Sequence, residues 1–296
     1  ADFKLGAVGE YLGLIKPDGR TVSHHYVMKY PKQRDDVSYG VPADWKPDAD
    51  SATSVIGNTV FFLQPTPGAP NSSVLNGTVA KLAFSQPHGL YDEPFDLTIS
   101  TETPGVTLRY TTDGSVPTID SGTVLEGGLL KMEKTTVLRV AGFKPGFKPT
   151  KVVTRTYLFP KDIVRQSPDG LPPNGFPYEW GFNYVDYGMD QRVVNDKRYK
   201  DQIFDGLRSL PSYSLVMEMD DLFDEESGIF ANAKNDGREW ERSCSLEMIS
   251  PDGESGFQEN CGVRIRGGFS RMSPNAKHAF RFFFRSEYGP AKLQYP

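Results

Sequence analysis

The sequence lacks several features that would assign it to a function class at once. No run of 18 or more apolar residues occurs, so no segment is predicted to span a membrane. No Walker loop, GxSxG motif or dinucleotide fingerprint occurs, and the four histidines have no glutamate at zinc-protease spacing. The net charge of −5 argues against nucleic-acid or anionic-membrane binding by the whole surface. We therefore expect no nucleic-acid partner, although a local basic patch is compatible with this charge.

Turn-forming residues are abundant instead. The 296 residues include 29 Gly and 23 Pro, and aromatic residues reach 12%. This mixture favours many short strands joined by turns over long helices. A hydrophobic content of 38% and a charged content of 24% are ordinary for folded protein, and the length accommodates two or three domains. The opening ADFKL reads as the middle of a strand and not as a signal peptide, which predicts a mature protein or a fragment.

The two cysteines are informative through their positions. They flank two strand-like stretches around Asp252-Gly253, which is a strong hairpin signal. If these two residues form the turn, Cys244 lies opposite Cys261, and the geometry allows a cross-strand disulfide. The same register places Leu246 opposite Glu259, which argues for a longer loop. Two buried free thiols are the alternative interpretation.

Residues 1–72 are predicted to form a first unit. A Pro-Asp-Gly turn at 17–19 between apolar stretches predicts a hairpin. Three segments occur in a characteristic order: GEYLGLIKPDG, YPKQRDDVSYG and PTPGAPN. Together they resemble the C-terminal portion of a lamin-tail domain. The resemblance implies a partial immunoglobulin-like β-sandwich, of a kind carried by secreted and surface proteins of bacteria.

Residues 80–160 are predicted to form a second unit. Cleanly alternating stretches at 95–99, 106–110 and 136–141 are separated by Gly and Pro turns, which is typical of a sandwich. The segments FSQPHGLYDEPFDLTIS and LRYTTDGSVPT resemble the small immunoglobulin-like domain at the C-terminus of chitobiases and β-hexosaminidases. A structural spacer is the favoured role. A carbohydrate-binding module is the alternative, and it requires an exposed aromatic platform, for which the candidates are Tyr91, Phe143 and Phe147.

A Pro- and Gly-rich linker at 161–181 precedes the third predicted unit, residues 182–296. Helical periodicity at 196–210, a strand at 213–217 and a short helix from Asp220 predict an α+β region. The acidic run at 218–226 lacks the Gly-punctuated spacing of a calcium loop, so we interpret it as a solvated face and predict no metal site.

The stretch VRIRGGFSRMSPNAKHAFRFFFR, residues 263–285, concentrates cationic and aromatic residues. With period two, Val263 and Ile265 point to one side of a strand while Arg264 and Arg266 point to the other. In the second strand alternate phenylalanines face the core, and the opposite parity carries Lys277, Arg281 and Arg285. Arginine forks and a lysine suit phosphate groups, and Gly267-Gly268 permits close backbone approach to a ligand.

The alternative is a half-exposed sheet whose charged face is simply solvated. In that case Arg264 or Arg266 pairs with the acidic run at 218–226. Parity alone does not separate this reading from a phosphate-binding site, because any strand with one buried face alternates in the same way.

Three segments of the third unit, LPSYSLVMEMDDLFDEESGIF, WERSCSLEM and CGVRIRGGFSRMSPNAKHAFRFFFRSEYGPAKLQYP, are similar to the spore-coat CotH family of atypical protein kinases. The resemblance implies that the early strands cover ATP and that a later lobe holds Mg²⁺. It places Lys277 and Arg266 where the motif keeps basic residues, and it supports Arg281 less and Arg285 least. Arg264, Gly267 and Gly268 are phosphate-binding candidates from the strand and loop pattern. His278 and Ala279 depart from the Lys and Ser of many relatives.

The sequence as a whole predicts a mainly β multidomain chain: two immunoglobulin-like sandwiches followed by an α+β, CotH-like kinase N-terminal region. The implied function is that of a fragment of a secreted or surface protein whose full-length form transfers phosphate from ATP to protein hydroxyls. Since the catalytic lobe is expected after this stretch, the chain is expected to be inactive alone and to need ATP and Mg²⁺ only with that lobe.

The competing hypothesis is a non-enzymatic adhesion or scaffold protein of the bacterial cell surface, with carbohydrate binding through the immunoglobulin-like modules. Expected partners are other domains of the same protein or cell-surface components. Incomplete sandwiches also predict self-association through unpaired strand edges.

Overall fold

The computed structural model describes residues 4–26, 28–34, 37–46, 54–56, 59–180, 183–251, 256–272, 274–275 and 277–295. Strands contain 33% of the residues and helices 11%, which confirms the prediction of a mainly β chain. The chain divides into two compact units, residues 1–80 with 143–150, and residues 81–142 with 151–296. The predicted boundary at 161–181 therefore lies inside the second compact unit. None of the described helices is long and apolar enough to cross a membrane.

The first unit is built from short strands: β1 (Gly13–Ile15), β2 (Val22–Tyr26), β3 (Ser38–Gly40), β4 (Ser54–Ile56), β5 (Val60–Phe62) and β6 (Gly77–Thr78). They form the sheets β1-β2-β4 and β3-β5. The predicted hairpin at 17–19 is confirmed, because β1 and β2 pair antiparallel around it. Its turn is closed by the Asp18 carboxylate, which accepts from the backbone N–H groups of Arg20 at 2.9 Å and Thr21 at 2.8 Å. Hydrogen bonds from Thr21 lower the pKa of Asp18 to about 2.

The segment from 81 to 159 contains nine strands: β7 (Leu82–Phe84), β8 (Gly89–Leu90), β9 (Phe95–Thr101), β10 (Thr107–Thr111), β11 (Thr123–Val124), β12 (Leu129–Met132), β13 (Thr136–Phe143), β14 (Phe147–Lys148) and β15 (Val153–Leu158). All but β14, which pairs with β6 of the first unit, form two sheets, β11-β10-β13-β15-β8 and β12-β9-β7. Alternate residues of both sheets, among them Leu97, Ile99, Leu138, Val140 and Tyr157, meet in one core. This arrangement is the predicted β-sandwich.

The C-terminal region begins with α1 (Pro160–Ile163), β16 (Glu179–Trp180), β17 (Asn183–Tyr184), α2 (Gln191–Val194) and α3 (Ile203–Ser209). It continues with β18 (Ser212–Val216), α4 (Met219–Phe223), β19 (Arg242–Ile249), β20 (Gly256–Arg266) and β21 (Ala279–Phe283). Strands β18-β19-β20-β21 form one antiparallel sheet in that order. The helix predicted over 196–210 begins only at Ile203, because the Asp196 carboxylate bonds the backbone N–H of Arg198 at 2.8 Å and favours a turn there.

The predicted register of the cysteine hairpin is confirmed. Cys244 lies opposite Cys261 in the β19–β20 ladder, and Leu246 lies opposite Glu259. The Asp252-Gly253 turn itself lies outside the described residues. The cysteines are buried free thiols whose sulfur atoms are 3.6 Å apart. The hydrogen bond to Cys261, together with burial, raises the pKa of the Cys244 thiol, so the Cys244 sulfur remains protonated at neutral pH.

The two faces of this sheet differ in chemistry. One face packs Cys244, Leu246, Cys261, Val263 and Ile265 into a second core. The segment after α4 closes that core with Ile229 and Ala233, and the partly buried Phe280, Phe282 and Phe284 contact it, as the parity of the second strand predicts. The opposite face is polar, and the immunoglobulin-like sandwich contacts it.

A fully buried carboxylate joins the sandwich to this polar face. The Glu247 side chain of β19 is 0% exposed. Its Oε1 lies 2.7 Å from His88 Nδ1 and accepts from the backbone N–H of Thr156 at 3.2 Å. Its Oε2 accepts from Thr156 Oγ1, and Ser214 Oγ of β18 lies 2.8 Å from that hydroxyl. Every polar atom of Glu247 is therefore paired, as a buried carboxylate requires.

A second polar contact reinforces the first. Glu218, next to α4, accepts from the backbone N–H of Val116 at 2.8 Å and lies 3.7 Å from the buried Arg139 of β13. Arg139 also donates to the carbonyl oxygen of Gly114 at 2.6 Å, and Asn260 Nδ2 donates to the Val152 carbonyl at 3.1 Å. The immunoglobulin-like sandwich and the C-terminal sheet are therefore joined by several separate polar contacts.

Replacing Glu247 with alanine is expected to lower the free energy of unfolding by about 3 kcal/mol, because His88 and Thr156 lose their buried acceptor. Urea denaturation followed by tryptophan fluorescence measures the change. The control is Glu133→Ala, since Glu133 is exposed and pairs only with the exposed Lys131. Equal midpoints for the two variants would show that the Glu247 contacts add nothing to stability.

Candidate functional site

The arginines of the 263–285 stretch gather at the far end of the same polar face. Val263 and Ile265 are 0% and 6% exposed, whereas Arg264 is half-buried and Arg266 is exposed, as the alternation predicts. Strand β21 pairs with β20 so that Arg264 lies directly opposite Arg281. Two arginines in this relation repel each other, so sheet stability alone does not explain the pair.

These residues line an open cleft of about 630 Å³. Its charged side chains are Arg264, Arg266, Arg271, Arg281 and Asp236. Four arginines against one aspartate leave a net charge of +3 in the lining. A concave site with this balance attracts anions and offers several guanidinium forks for their oxygens.

Two of the cleft arginines have no side-chain partner among the described residues. In the part of the chain that the structure describes, the side chains of Arg266 and Arg281 have neither an ion-pair nor a hydrogen-bond partner. Arg264 does have contacts: its guanidinium lies 3.9 Å above the Phe283 ring, and its Nε is 3.2 Å from Glu241 Oε2. That Nε distance is within ion-pair range, although the angle does not make a hydrogen bond, since the atom has no hydrogen-bond partner.

The solvated-face alternative assigned different partners to these arginines. Among the described residues, the acidic run at 218–226 pairs elsewhere: Asp221 lies 3.4 Å from Arg242, and Glu218 contacts Arg139. Arg264 pairs instead with Glu241, which lies just before β19. The acidic run at 218–226 therefore supplies no negative charge to the lining of the cleft.

Arg271 and Glu241 are the residues that sequence reasoning missed. Arg271 lines the cleft, but its guanidinium is largely used by the fold, with bonds to the carbonyls of Ile265, Lys234 and Asn235 at 2.8, 3.3 and 3.4 Å. No pattern in the sequence indicates this role. Glu241 could have been found, because the hairpin register, continued one residue beyond Arg242, places it opposite Arg264.

Of the predicted glycines and Lys277, only one residue lines the cleft. Gly267 lines the cleft with a φ of 125°, and a Cβ there would lie 1.9 Å from Ser270 Oγ. Gly268 has a φ of −101°, and a Cβ there would meet nothing within 4 Å. Lys277 is exposed and lies before β21, outside the cleft lining. The cleft thus brings together Arg264, Arg266, Arg281 and Gly267, and leaves out Gly268 and Lys277.

A second cavity of about 640 Å³ adjoins the first across Arg271. Phe223, Phe230 and Ala233 give it an apolar side, while Lys234, the buried His278 and the carboxylates of Glu179 and Glu225 supply polar atoms. Its volume is within the range of small-molecule sites. The pair of cavities can accommodate a ligand with one anionic and one flatter, less polar part.

The aromatic candidates for sugar binding are engaged in packing. Tyr91 contacts Phe95 with ring centroids 4.3 Å apart, and it packs against the sandwich core. Phe143 and Phe147 are half-buried, and Lys144 covers the Phe147 ring at 4.4 Å. No aromatic side chain between 81 and 160, all of which the structure describes, is exposed. This segment presents no aromatic platform for a sugar ring.

Comparison with known proteins supports one of the three resemblances. Residues 86–154 match the family described as the chitobiase/beta-hexosaminidase C-terminal domain. The matched segment coincides with most of the two-sheet sandwich of β7–β15. No curated protein and no solved structure matches the chain. The lamin-tail and CotH resemblances remain predictions.

The two glycines at the cleft form a matched pair for mutation. Gly267→Ala is expected to lower the melting temperature, because alanine strains the positive φ and collides with Ser270. Gly268→Ala is expected to leave it unchanged, since its φ is ordinary and the space is open. Differential scanning calorimetry of both variants checks this. If both variants melt at the wild-type temperature, the loop tolerates either substitution.

Replacing Arg281 by threonine is expected to stabilise the protein by up to about 1 kcal/mol, because it removes the like charge opposite Arg264 and adds a β-branched residue. Chemical denaturation measures this gain. The control Arg109→Thr changes a half-buried sandwich arginine that donates to the Gly122 carbonyl, so no gain is expected there. A destabilised Arg281→Thr protein would mean that Arg281 supports the sheet.

Proposed function

We propose that the arginine cleft binds the phosphate groups of a nucleotide. In this proposal the chain is part of a secreted or surface CotH-like protein, whose full-length form transfers phosphate from ATP to protein hydroxyls. The observation that carries the proposal is the convergence of Arg264, Arg266 and Arg281 on one open cleft. Two of these three guanidinium groups have no partner among the described residues.

The arginines of the cleft are placed where they lower the stability of the sheet. Placing Arg264 opposite Arg281 lowers sheet stability, and a face selected only for solvation would interleave acids with the arginines. Unpaired guanidinium forks at a concave site instead supply the bidentate hydrogen bonds and positive charge that phosphate oxygens require. Gly267 contributes by keeping the backbone at the cleft free of a side chain.

The adjoining cavity favours a nucleotide over inorganic phosphate as ligand. It lies across Arg271 from the arginine cleft, and phenylalanines line one side of it. A base and ribose can occupy such a space while the phosphates extend to the arginines. The CotH resemblance assigns the metal-holding carboxylates to a later lobe, so binding and not transfer is the quantity to measure on this chain.

Titration calorimetry with ATP, in the presence and absence of Mg²⁺, tests the proposal on the wild-type chain, Arg266→Ala and Arg281→Ala. Each substitution is expected to weaken binding about tenfold or more, because each removes a charge-assisted hydrogen bond. The matched control is Arg192→Ala, since the Arg192 side chain is 90% exposed, does not line the cleft and pairs with Asp190. Tripolyphosphate, titrated in parallel, separates recognition of the phosphates from that of the base.

Absence of saturable ATP binding to the wild-type chain would overturn the proposal and favour the scaffold hypothesis. Binding that is equally strong in all variants would place the nucleotide elsewhere on the protein. Loss in Arg192→Ala as well as in the cleft variants would indicate general charge attraction and not a site.

A further inference from the structure

A buried carboxylate lies directly behind the cleft, at a position that the proposed function leaves unassigned. The Glu241 side chain is 1% exposed. It belongs to the polar face of the sheet, one residue beyond the Arg242–Val263 pair that ends the β19–β20 ladder, and this position is opposite Arg264. An ionised carboxylate at this depth requires compensating positive charge.

Two arginines provide the compensation from different sides. Arg285 Nε donates to Glu241 Oε1 at 2.8 Å, and its Nη2 donates to Oε2 at 3.3 Å. Arg264 approaches the same Oε2 through its Nε at 3.2 Å. Both guanidinium groups also lie on the ring of Phe283, at 3.9 Å for Arg264 and 5.1 Å for Arg285.

These contacts leave one edge of Arg264 available. Its Nε lies 3.2 Å from the carboxylate without making a hydrogen bond, and its guanidinium carbon lies 3.9 Å from the centre of the Phe283 ring. In the described part of the chain, its two terminal nitrogens have no hydrogen-bond partner, and Arg264 lines the cleft. The terminal fork is the part of a guanidinium that binds phosphate bidentately.

The backbone around Glu241 leaves room for this carboxylate. A Cβ on Gly262 would lie 2.7 Å from Glu241 Oε1 and 2.7 Å from the ring of Tyr288, so only glycine fits between them. Burial, with the nearby Glu241 carboxylate adding to it, raises the pKa of Tyr288 to about 12. The carboxylate therefore sits in an enclosed pocket that is closed by neutral and cationic groups.

We infer that Glu241 is a positioning residue for anion binding: it holds the guanidinium of Arg264 so that its terminal fork faces the cleft. The inference rests on the proposed function. Two effects of Glu241 on a bound anion have opposite signs. Its negative charge, acting through space, weakens anion binding, whereas its hold on Arg264 strengthens it.

Because these two effects have opposite signs, the affinity of a Glu241 variant for tripolyphosphate distinguishes them. Glu241→Gln removes the charge and keeps the size, so electrostatics alone predicts tighter binding, while positioning predicts binding about tenfold weaker. Titration calorimetry on the wild type, Glu241→Gln, Arg264→Ala and the double variant forms a double-mutant cycle. We expect the effect of Glu241→Gln to fall below about twofold when Arg264 is already alanine.

Two further variants keep the inference testable if the Glu241→Gln protein does not fold. Glu241→Asp keeps the buried charge but withdraws the carboxylate by one methylene, so we expect a melting temperature near that of the wild type and binding several-fold weaker. Arg192→Ala changes an exposed arginine that pairs with Asp190 and does not line the cleft, so binding within about twofold of the wild type is expected.

The outcomes separate the two proposals. A wild-type chain that does not bind tripolyphosphate overturns the proposed function and this inference together. Binding by the wild type that is unchanged or tighter in Glu241→Gln, or in Glu241→Asp where the glutamine variant is unfolded, overturns the inference alone. A cycle in which the effects of Glu241 and Arg264 are additive does the same, because it shows that Glu241 does not act through Arg264.

Discussion

The antiparallel pairing of β19 with β20 is the interaction on which the C-terminal region depends. Its register assigns every residue of the two strands to one of two faces. One face is apolar and contains both thiols, and the other contains Glu247, Glu241 and Arg264. A shift by a single residue would bury the arginines and expose the thiols, so the core and the cleft are both consequences of this one pairing.

The two parts of the polar face have different surroundings. Where the immunoglobulin-like sandwich covers it, the sheet presents Glu247, and the sandwich supplies matching donors from His88 and Thr156. Where nothing in the described chain covers it, the sheet presents arginines. Buried charge is therefore fully compensated and exposed charge is not, which is the distribution expected if the free charges serve a ligand.

The family match and the packing together refine the role of the sandwich. Most of the matched segment, residues 86–142 and 151–154, lies in the same compact unit as the C-terminal sheet, and its side chains complete that sheet's buried hydrogen bonds. The contacts of the sandwich with this sheet stabilise the face that carries the cleft. Its aromatic residues are used for its own core, which argues for a structural role over sugar binding.

Local patterns in the sequence determined the strands, the hairpin register and the side of each strand that faces the core, because alternation and turn residues are properties of short stretches. The sandwich at 86–154 could also be found from its residues. Only the tertiary structure decided which charged groups meet partners beyond a hairpin: Glu247 meets His88, and Arg271 meets the carbonyls of Lys234 and Asn235. Those contacts join residues remote in sequence, and no local periodicity encodes the partner of a charged side chain.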